Sequence, residues 1–280
     1  MDAFTLFDSL TRPFARPIAM GILNVTEDSF FDGGKYTDEK SIRSRIQVMV
    51  QEGASILDFG ACSTRPGAIE ISEAIEIERL IKAIAILKSD FPDFPFSIDT
   101  YRSGVVHEVV KNFGPCWVND ISGGNFDSKL IDLLAKLQLP YVLMHIQGNP
   151  ATMQQNPSYV NVIDEVVEYL RMKKNSLEKA GLKQIILDPG FGFGKTIGHN
   201  YSLLANLPVF RNLEAPLLVG LSRKSMIYKL LGTTPADALN ATTALNMIAL
   251  EKGAGILRVH DVREASECIA LHQYLLTCTK

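Results

Sequence analysis

The stretch Ile185–Thr196, IILDPGFGFGKT, decides how the chain is read. Ile185, Ile186 and Leu187 form a β-branched and leucine run too short for a core helix, which reads as a buried strand. The run ends on an acid, Asp188. An ionised carboxylate at the end of a buried strand is unfavourable by several kcal/mol unless something pairs with it. Pro189 stops the strand pairing, and Gly190, Gly192 and Gly194 let the backbone approach a bound group closely. A rigid strand thus delivers an acid to the lip of a pocket. Two nucleotide motifs are absent. A phosphate-cradling loop needs GxxxxGK[ST], and Gly194-Lys195-Thr196 fits its end, but Pro189 stands where the first glycine belongs. The dinucleotide fingerprint needs GxGxxG, and this loop reads GxGxG.

The same pattern, a short apolar run ending in a polar residue and followed by a helical segment, recurs on both sides of this stretch. Upstream, strands are expected at Ile18–Leu23, Ser55–Phe59, Phe96–Ile98, Trp117–Val118 and Tyr141–Met144. Downstream they are expected at Leu217–Leu221 and Ile256–Leu257. Helices are expected at about 38–52, 72–89, 103–112, 128–137, 162–180, 200–205, up to Leu231, 236–252 and 264–276. Residues 1–16 read as a short arm with an amphipathic turn through Phe4 and Phe7. Eight strands alternating with helices imply right-handed βαβ units and a parallel sheet. Eight units in this length give an α/β (β/α)8 TIM barrel, with a doubly wound open sheet as the alternative. With no composition shift along it, the chain reads as an arm over 1–16 and a single domain over 17–280.

Composition narrows the function. The chain has 280 residues, 46% hydrophobic and 21% charged, with a formal net charge of −3 and no long basic run, which argues against a nucleic-acid partner. No apolar stretch is long enough to span a bilayer, and the N-terminus lacks the basic region of a secretory signal. Cys62, Cys116, Cys268 and Cys278 are widely spaced with no CxxC pair, which points to the reducing cytoplasm.

In such a barrel the chemistry sits at the C-terminal ends of the strands. Read in order, those ends carry Asn24, Thr64-Arg65 in the second loop, Asp99, Asn119, His145, Asp188, Lys224, and Arg258 with His260. Asp120 and Ser122 fit plain turn and cap roles. Asp99, Asn119 and Asp188 suit a flat nitrogen heterocycle presenting several N–H groups, since a carboxylate accepts two parallel hydrogen bonds. Arg258 offers a planar face for stacking. Arg258, His260, Asn24 and Thr64 suit phosphate oxygens, or Mg²⁺ already holding phosphate. Lys224 and Ser225 open a helix, whose N–H groups and dipole favour an anion.

Eight segments carry a family resemblance: MGILNVTEDSFFDGG, STRPGA, SIDTYR, VNDISGG, MHIQGNPATMQ, LDPGFGFGKT, GLSRKS and ILRVHDV. In this order and spacing, from Pro17 to about Leu271, they resemble the dihydropteroate synthases, a pterin-binding family. The resemblance implies a (β/α)8 barrel, usually a homodimer, in folate biosynthesis, and a sulfonamide target. It implies a transferase joining p-aminobenzoate to 6-hydroxymethyl-7,8-dihydropterin diphosphate, giving 7,8-dihydropteroate and diphosphate, with Mg²⁺. By the same resemblance Asn24 is the metal ligand. Asp99, Asn119, Ile121, Met144, Asp188, Gly220, Lys224 and Arg258 match the pterin pocket. Asn24, Thr64, Arg258 and His260 match the diphosphate contacts. Phe30, Arg65, Pro66, Phe193, Lys224 and Ser225 match the p-aminobenzoate site. The catalytic set is Asn24, Asp99, Asp188, Lys224, Arg258 and His260. Two departures fall in the first loop, where Glu27 replaces the family's usual proline and Phe31 its serine; both leave that loop's contacts less defined. Cys62 reads as packing. Two alternatives remain open: a pterin- or folate-dependent methyltransferase of the same fold, and an inactive pterin-binding homologue.

Overall fold

Apolar strands linked by amphipathic helices bury both strand faces when the sheet closes on itself inside a ring of helices. The computed structural model describes residues 2–12, 15–26, 38–62, 71–150 and 152–278. Its parallel strands are β1 (Ile18–Asn24), β2 (Ile56–Gly60), β3 (Phe96–Asp99), β4 (Trp117–Asp120), β5 (Tyr141–Met144), β6 (Ile185–Asp188), β7 (Leu218–Val219) and β8 (Ile256–Val259). They lie in the order β6-β5-β4-β3-β2-β1-β8-β7. The seam between β6 and β7 is bridged at Leu187 and Leu217, with Leu187 N donating to Pro216 O at 2.9 Å. The sheet is therefore a (β/α)8 barrel and not an open doubly wound sheet.

The helices are α1 (Ala3–Leu10), α2 (Glu39–Gln51), α3 (Glu73–Asp90), α4 (Ser103–Phe113), α5 (Leu130–Leu137), α6 (Val162–Lys179), α7 (Ile197–Ala205), α8 (Ser225–Leu231), α9 (Leu239–Glu251) and α10 (Val262–Cys278). Side chains of Asp38, Ser72 and Asn161 cap α2, α3 and α6. Each such cap contributes about 1 kcal/mol. Thr196 and His199 form a capping box, so α7 begins three residues before the expected Asn200. β7 is shorter than expected because the chain turns after Gly220, with Lys224 N donating to Leu221 O at 3.1 Å.

Side chains alternate across each strand. Ala19, Leu57, Val118, Leu143, Leu187, Val219 and Leu257 face outward and pack with the helices in the main core. Ile18, Met20, Ile56, Trp117, Val142, Ile186, Leu218 and Ile256 face inward, and α1 joins this inner cluster through Ala3, Leu6, Phe7 and Leu10. The turn read at Phe4 and Phe7 is thus a two-turn helix that stoppers the N-terminal end of the barrel. Trp117 Nε1 donates to Ala3 O at 2.8 Å, so the buried indole N–H is satisfied by the stopper.

Candidate functional site

The inward positions change character along the barrel axis. Ile56 is followed inward by Asp58 and Gly60, Trp117 by Asn119, Val142 by Met144, Ile186 by Asp188, and Ile256 by Arg258. The apolar layer sits over α1 and the polar layer opens at the strand C-termini. The register aligns Asn24 with Gly60, Gly60 with Asp99, Asp99 with Asn119, and Met144 with Asp188.

Arg258 is the hub of that layer. Its Nε donates to Asp58 Oδ2 at 2.6 Å and its Nη2 to Asp99 Oδ2 at 2.8 Å. Asn119 Nδ2 donates to the same Asp58 oxygen at 2.9 Å. Asp58 is fully buried, and its Oδ1 has no hydrogen-bond partner among the described residues. It therefore fixes the two groups that flank the pocket. No reading of the strand ends named Asp58, because it lies two residues before the end of β2.

Asp188 accepts from Gly190 N at 2.7 Å through Oδ1. Gly190 has φ +71°, and a Cβ there would stand 1.9 Å from His145 O, so only glycine fits. Lys224 directs its amine to Phe191 O and lies 4.7 Å from the Phe193 ring centroid. Ile121, Met144, Ile146 and Met153 form an apolar wall, with Tyr101 and Phe193 packed on it. A Cβ on Gly220 would lie 3.9 Å from both Arg258 Cβ and Lys224 Nζ, so this position lies between the two cations. His145 does not present its ring at the mouth; it is buried against Lys195, whose Nζ lies 2.9 Å from Nδ1.

Burial governs titration here. It pushes the Asp99 carboxyl up to about 7 against the opposing pull of Arg258, while Asp58 adds to the rise. It also raises Asp188, with Lys224 and the Gly190 N–H opposing. Burial lowers Lys224 to about 8 and Lys195 to about 7. Burial and the Arg258 charge hold His260 near 3, so its imidazole is neutral at working pH. The Cys62 thiol is pushed far up by burial and by Glu76, against thiolate formation.

Towards the other side of the mouth, Asn24 ends β1 with its Oδ1 close to Gly60, where a Cβ would stand 2.8 Å from it. His260 Nδ1 lies 3.1 Å from Ser222 Oγ. Ser225 is the first residue of α8, with Lys224 at its N-cap. Phe30, Thr64, Arg65 and Pro66, with Glu27 and Phe31, lie outside the described residues. Asp120 does serve as a turn residue, accepting from Ser122 N at 2.6 Å, Gly124 N at 2.7 Å and Tyr141 OH at 2.8 Å. No group of three or more His, Cys, Asp or Glu able to hold a metal occurs among the described residues, and no helix there is long and apolar enough to cross a membrane.

Comparison with known proteins gives the family. Residues 20–260 match the family described as pterin binding enzyme. The chain is 42% identical over 265 residues to a dihydropteroate synthase of Escherichia coli K12, covering 94% of this chain and 93% of that protein. It superposes with a TM-score of 0.90 on the Yersinia pestis dihydropteroate synthase solved with a sulfonamide drug, at 38% identity and covering 95% and 96% of the two chains. The Xanthomonas albilineans dihydropteroate synthase solved with 4-aminobenzoic acid superposes with a TM-score of 0.84 at 37% identity, covering 93% of each chain. A family match over most of the length, with relatives of this identity aligned nearly end to end, means that the chain belongs to the pterin-binding enzymes and, within them, to the dihydropteroate synthase family.

Proposed function

We propose that the chain is a transferase joining p-aminobenzoate to 6-hydroxymethyl-7,8-dihydropterin diphosphate, giving 7,8-dihydropteroate and diphosphate. The observation that carries the reading is a set of open acceptors. Asp99 Oδ1, Asn119 Oδ1 and the second oxygen of Asp188 accept no hydrogen bond among the described residues, although Asn119 and Asp188 are buried. Three acceptors converging at a half-dry mouth leave a strong unmet demand for donors, and a pterin ring edge supplies several N–H groups. Ile121 and Met144 would line the ring, Gly220 would leave it room, and Arg258 would cover its face.

The diphosphate would lie towards Asn24, Thr64, Arg258 and His260. Arg258 has Nη1 left after bonding Asp58 and Asp99, and neutral His260 can donate a hydrogen bond to an anion without adding charge. Asn24 is one neutral oxygen ligand, which fits a Mg²⁺ ion that arrives with most of its ligands supplied by phosphate and water. When bound, the ion would stabilise negative charge on the leaving diphosphate. The C–O bond to the pterin methylene breaks with its electron pair leaving on diphosphate. The arylamine nitrogen forms the new C–N bond and gives up a proton. Asp99, Asn119 and Asp188 favour charge delocalised into the ring as the bond breaks. Phe30, Arg65, Pro66, Phe193, Lys224 and Ser225 would hold the arylamine.

Sulfonamide binding by the Yersinia pestis relative supports competition at that arylamine site here. Exposed Ile248 on α9 and Leu271, Tyr274 and Leu275 on α10 support a homodimer. All four cysteines are free thiols, in keeping with the cytoplasm. The test is purified protein with both substrates and Mg²⁺. Diphosphate and dihydropteroate should appear in equal amounts only when p-aminobenzoate is present. Pterin binding without product would favour an inactive homologue.

A further inference from the structure

The loop after β6 is held at every carbonyl from residue 190 to 194. Lys195 Nζ donates to Gly190 O at 2.9 Å and to Phe193 O at 3.0 Å. Lys224 donates to Phe191 O, Gln154 Nε2 to Gly192 O at 2.6 Å, and Tyr159 OH to Gly194 O at 2.8 Å. Lys195 thus holds two of these carbonyls and, through its 2.9 Å contact with His145 Nδ1, ties the loop to the end of β5. Lys195 lies with its amine within hydrogen-bond reach of four acceptors, Gly190 O, Phe193 O, His145 Nδ1 and, at 3.4 Å, His145 O. Its amine is almost wholly buried. A buried amine on a loop would be unfavourable unless the arrangement it fixes were worth holding. What it fixes is the backbone of Phe193, whose ring stands against Lys224 and the apolar wall of Ile121 and Met144.

We propose that Lys195 is a positioning residue for arylamine transfer: its amine locks the loop after β6 so that the Phe193 ring forms a ready shelf for p-aminobenzoate beside Lys224. This rests on the assignment of Phe193 to the arylamine site. Among the described residues the Lys195 amine hydrogen-bonds only to His145, Gly190 and Phe193. It acts through the two carbonyls; among the described residues the pterin groups Asp99, Asn119 and Arg258 make no hydrogen bond to that loop, and Asp188 meets it only through Gly190 N at 2.7 Å.

The variant is Lys195→Met, which keeps the length and removes the donors. Wild-type protein is assayed first; if it releases no diphosphate in response to p-aminobenzoate, the functional reading fails and Lys195 is not what failed. With an active wild type, the variant should raise KM for p-aminobenzoate about tenfold while kcat and pterin diphosphate affinity stay within about threefold, because a displaced shelf weakens one substrate only. Unchanged KM in the folded variant overturns the proposal. An equal loss in arylamine KM and pterin affinity also overturns it, since that is the mark of general structural damage. Should Lys195→Met not fold, Lys195→Gln, whose shorter polar side chain cannot hold both carbonyls, decides: a raised arylamine KM with pterin affinity kept supports the shelf, and an unchanged KM overturns it.

Discussion

Asp58→Asn separates the hub of the site from its rim. Asp58 is fully buried and receives Arg258 Nε at 2.6 Å and Asn119 Nδ2 at 2.9 Å on one oxygen. Asparagine keeps the shape and one acceptor but removes the charge that makes the Arg258 bond strong. A hydrogen bond to a charged partner contributes about 1.5–3 kcal/mol, so the variant should lose about 2 kcal/mol of stability. Arg258 retains Asp99, which keeps the loss below the 3–5 kcal/mol, on the order seen when a buried ion pair loses one member entirely. In a chain this long about 2 kcal/mol lowers Tm by roughly 4–8 °C. Asp58→Ala, which strands both donors, should lose more. The second readout is pH. The Asp58 charge helps hold the Asp99 carboxyl near 7. Without it, and with Arg258 committed to Asp99, that carboxyl should ionise at lower pH. Ionised Asp99 is the stronger acceptor for a ring N–H, so the acid limb of kcat/KM for the pterin substrate should move down in pH. Differential scanning calorimetry and a pH–rate profile measure both effects. An unchanged Tm together with an unmoved acid limb would refute the hub.

Further outcomes follow from the same geometry. Asn24 offers one neutral ligand, so calorimetry should detect negligible Mg²⁺ binding to the free protein and strong binding once diphosphate is present; tight binding to the empty protein would contradict the ligand set. Phe7 is buried in the inner cluster beneath the polar layer, so Phe7→Ala should cost about 3–5 kcal/mol in urea unfolding while leaving pterin affinity within about twofold. In the wild type, pterin affinity should fall as pH drops below about 7, and titrations in buffers of differing ionisation enthalpy should report proton release on binding. Proton uptake would contradict the ionised-acid reading.

Much of the architecture was legible from residue spacing. Eight strand–helix repeats gave the barrel, and the structure places Asn24, Asp99, Asn119, Asp188 and Arg258 at strand ends as expected, each the last or next-to-last residue of its strand. The misses have physical causes. Parallel strands are buried on both faces, so Ile56-Leu57-Asp58-Phe59 reads as an apolar run broken by one acid rather than as an alternation. Counting back by twos from the β2 end at Gly60 would have put Asp58 on the inner face with Ile56. From sequence Lys195 reads only as the tail of a failed phosphate-loop match, because no sequence period tells a buried lysine from a solvated one. His145 reads as part of the rim by its place after β5, but its ring turns to Lys195. The stopper helix α1 reads as a turn because its eight residues give barely two helical periods, and its partner face, the inner cluster around Trp117, is assembled from seven strands.

The central claim is that two acids at the ends of β3 and β6 form the floor of the pterin pocket. Calorimetric titration of the pterin substrate into wild type, Asp99→Ala and Asp188→Ala tests it most directly, with circular dichroism as the check on folding. Removing either acid leaves ring N–H groups without acceptors, a loss of up to about 10⁴-fold in discrimination. Both variants should stay folded and show no measurable pterin binding. Near-normal affinity in either folded variant would contradict the account.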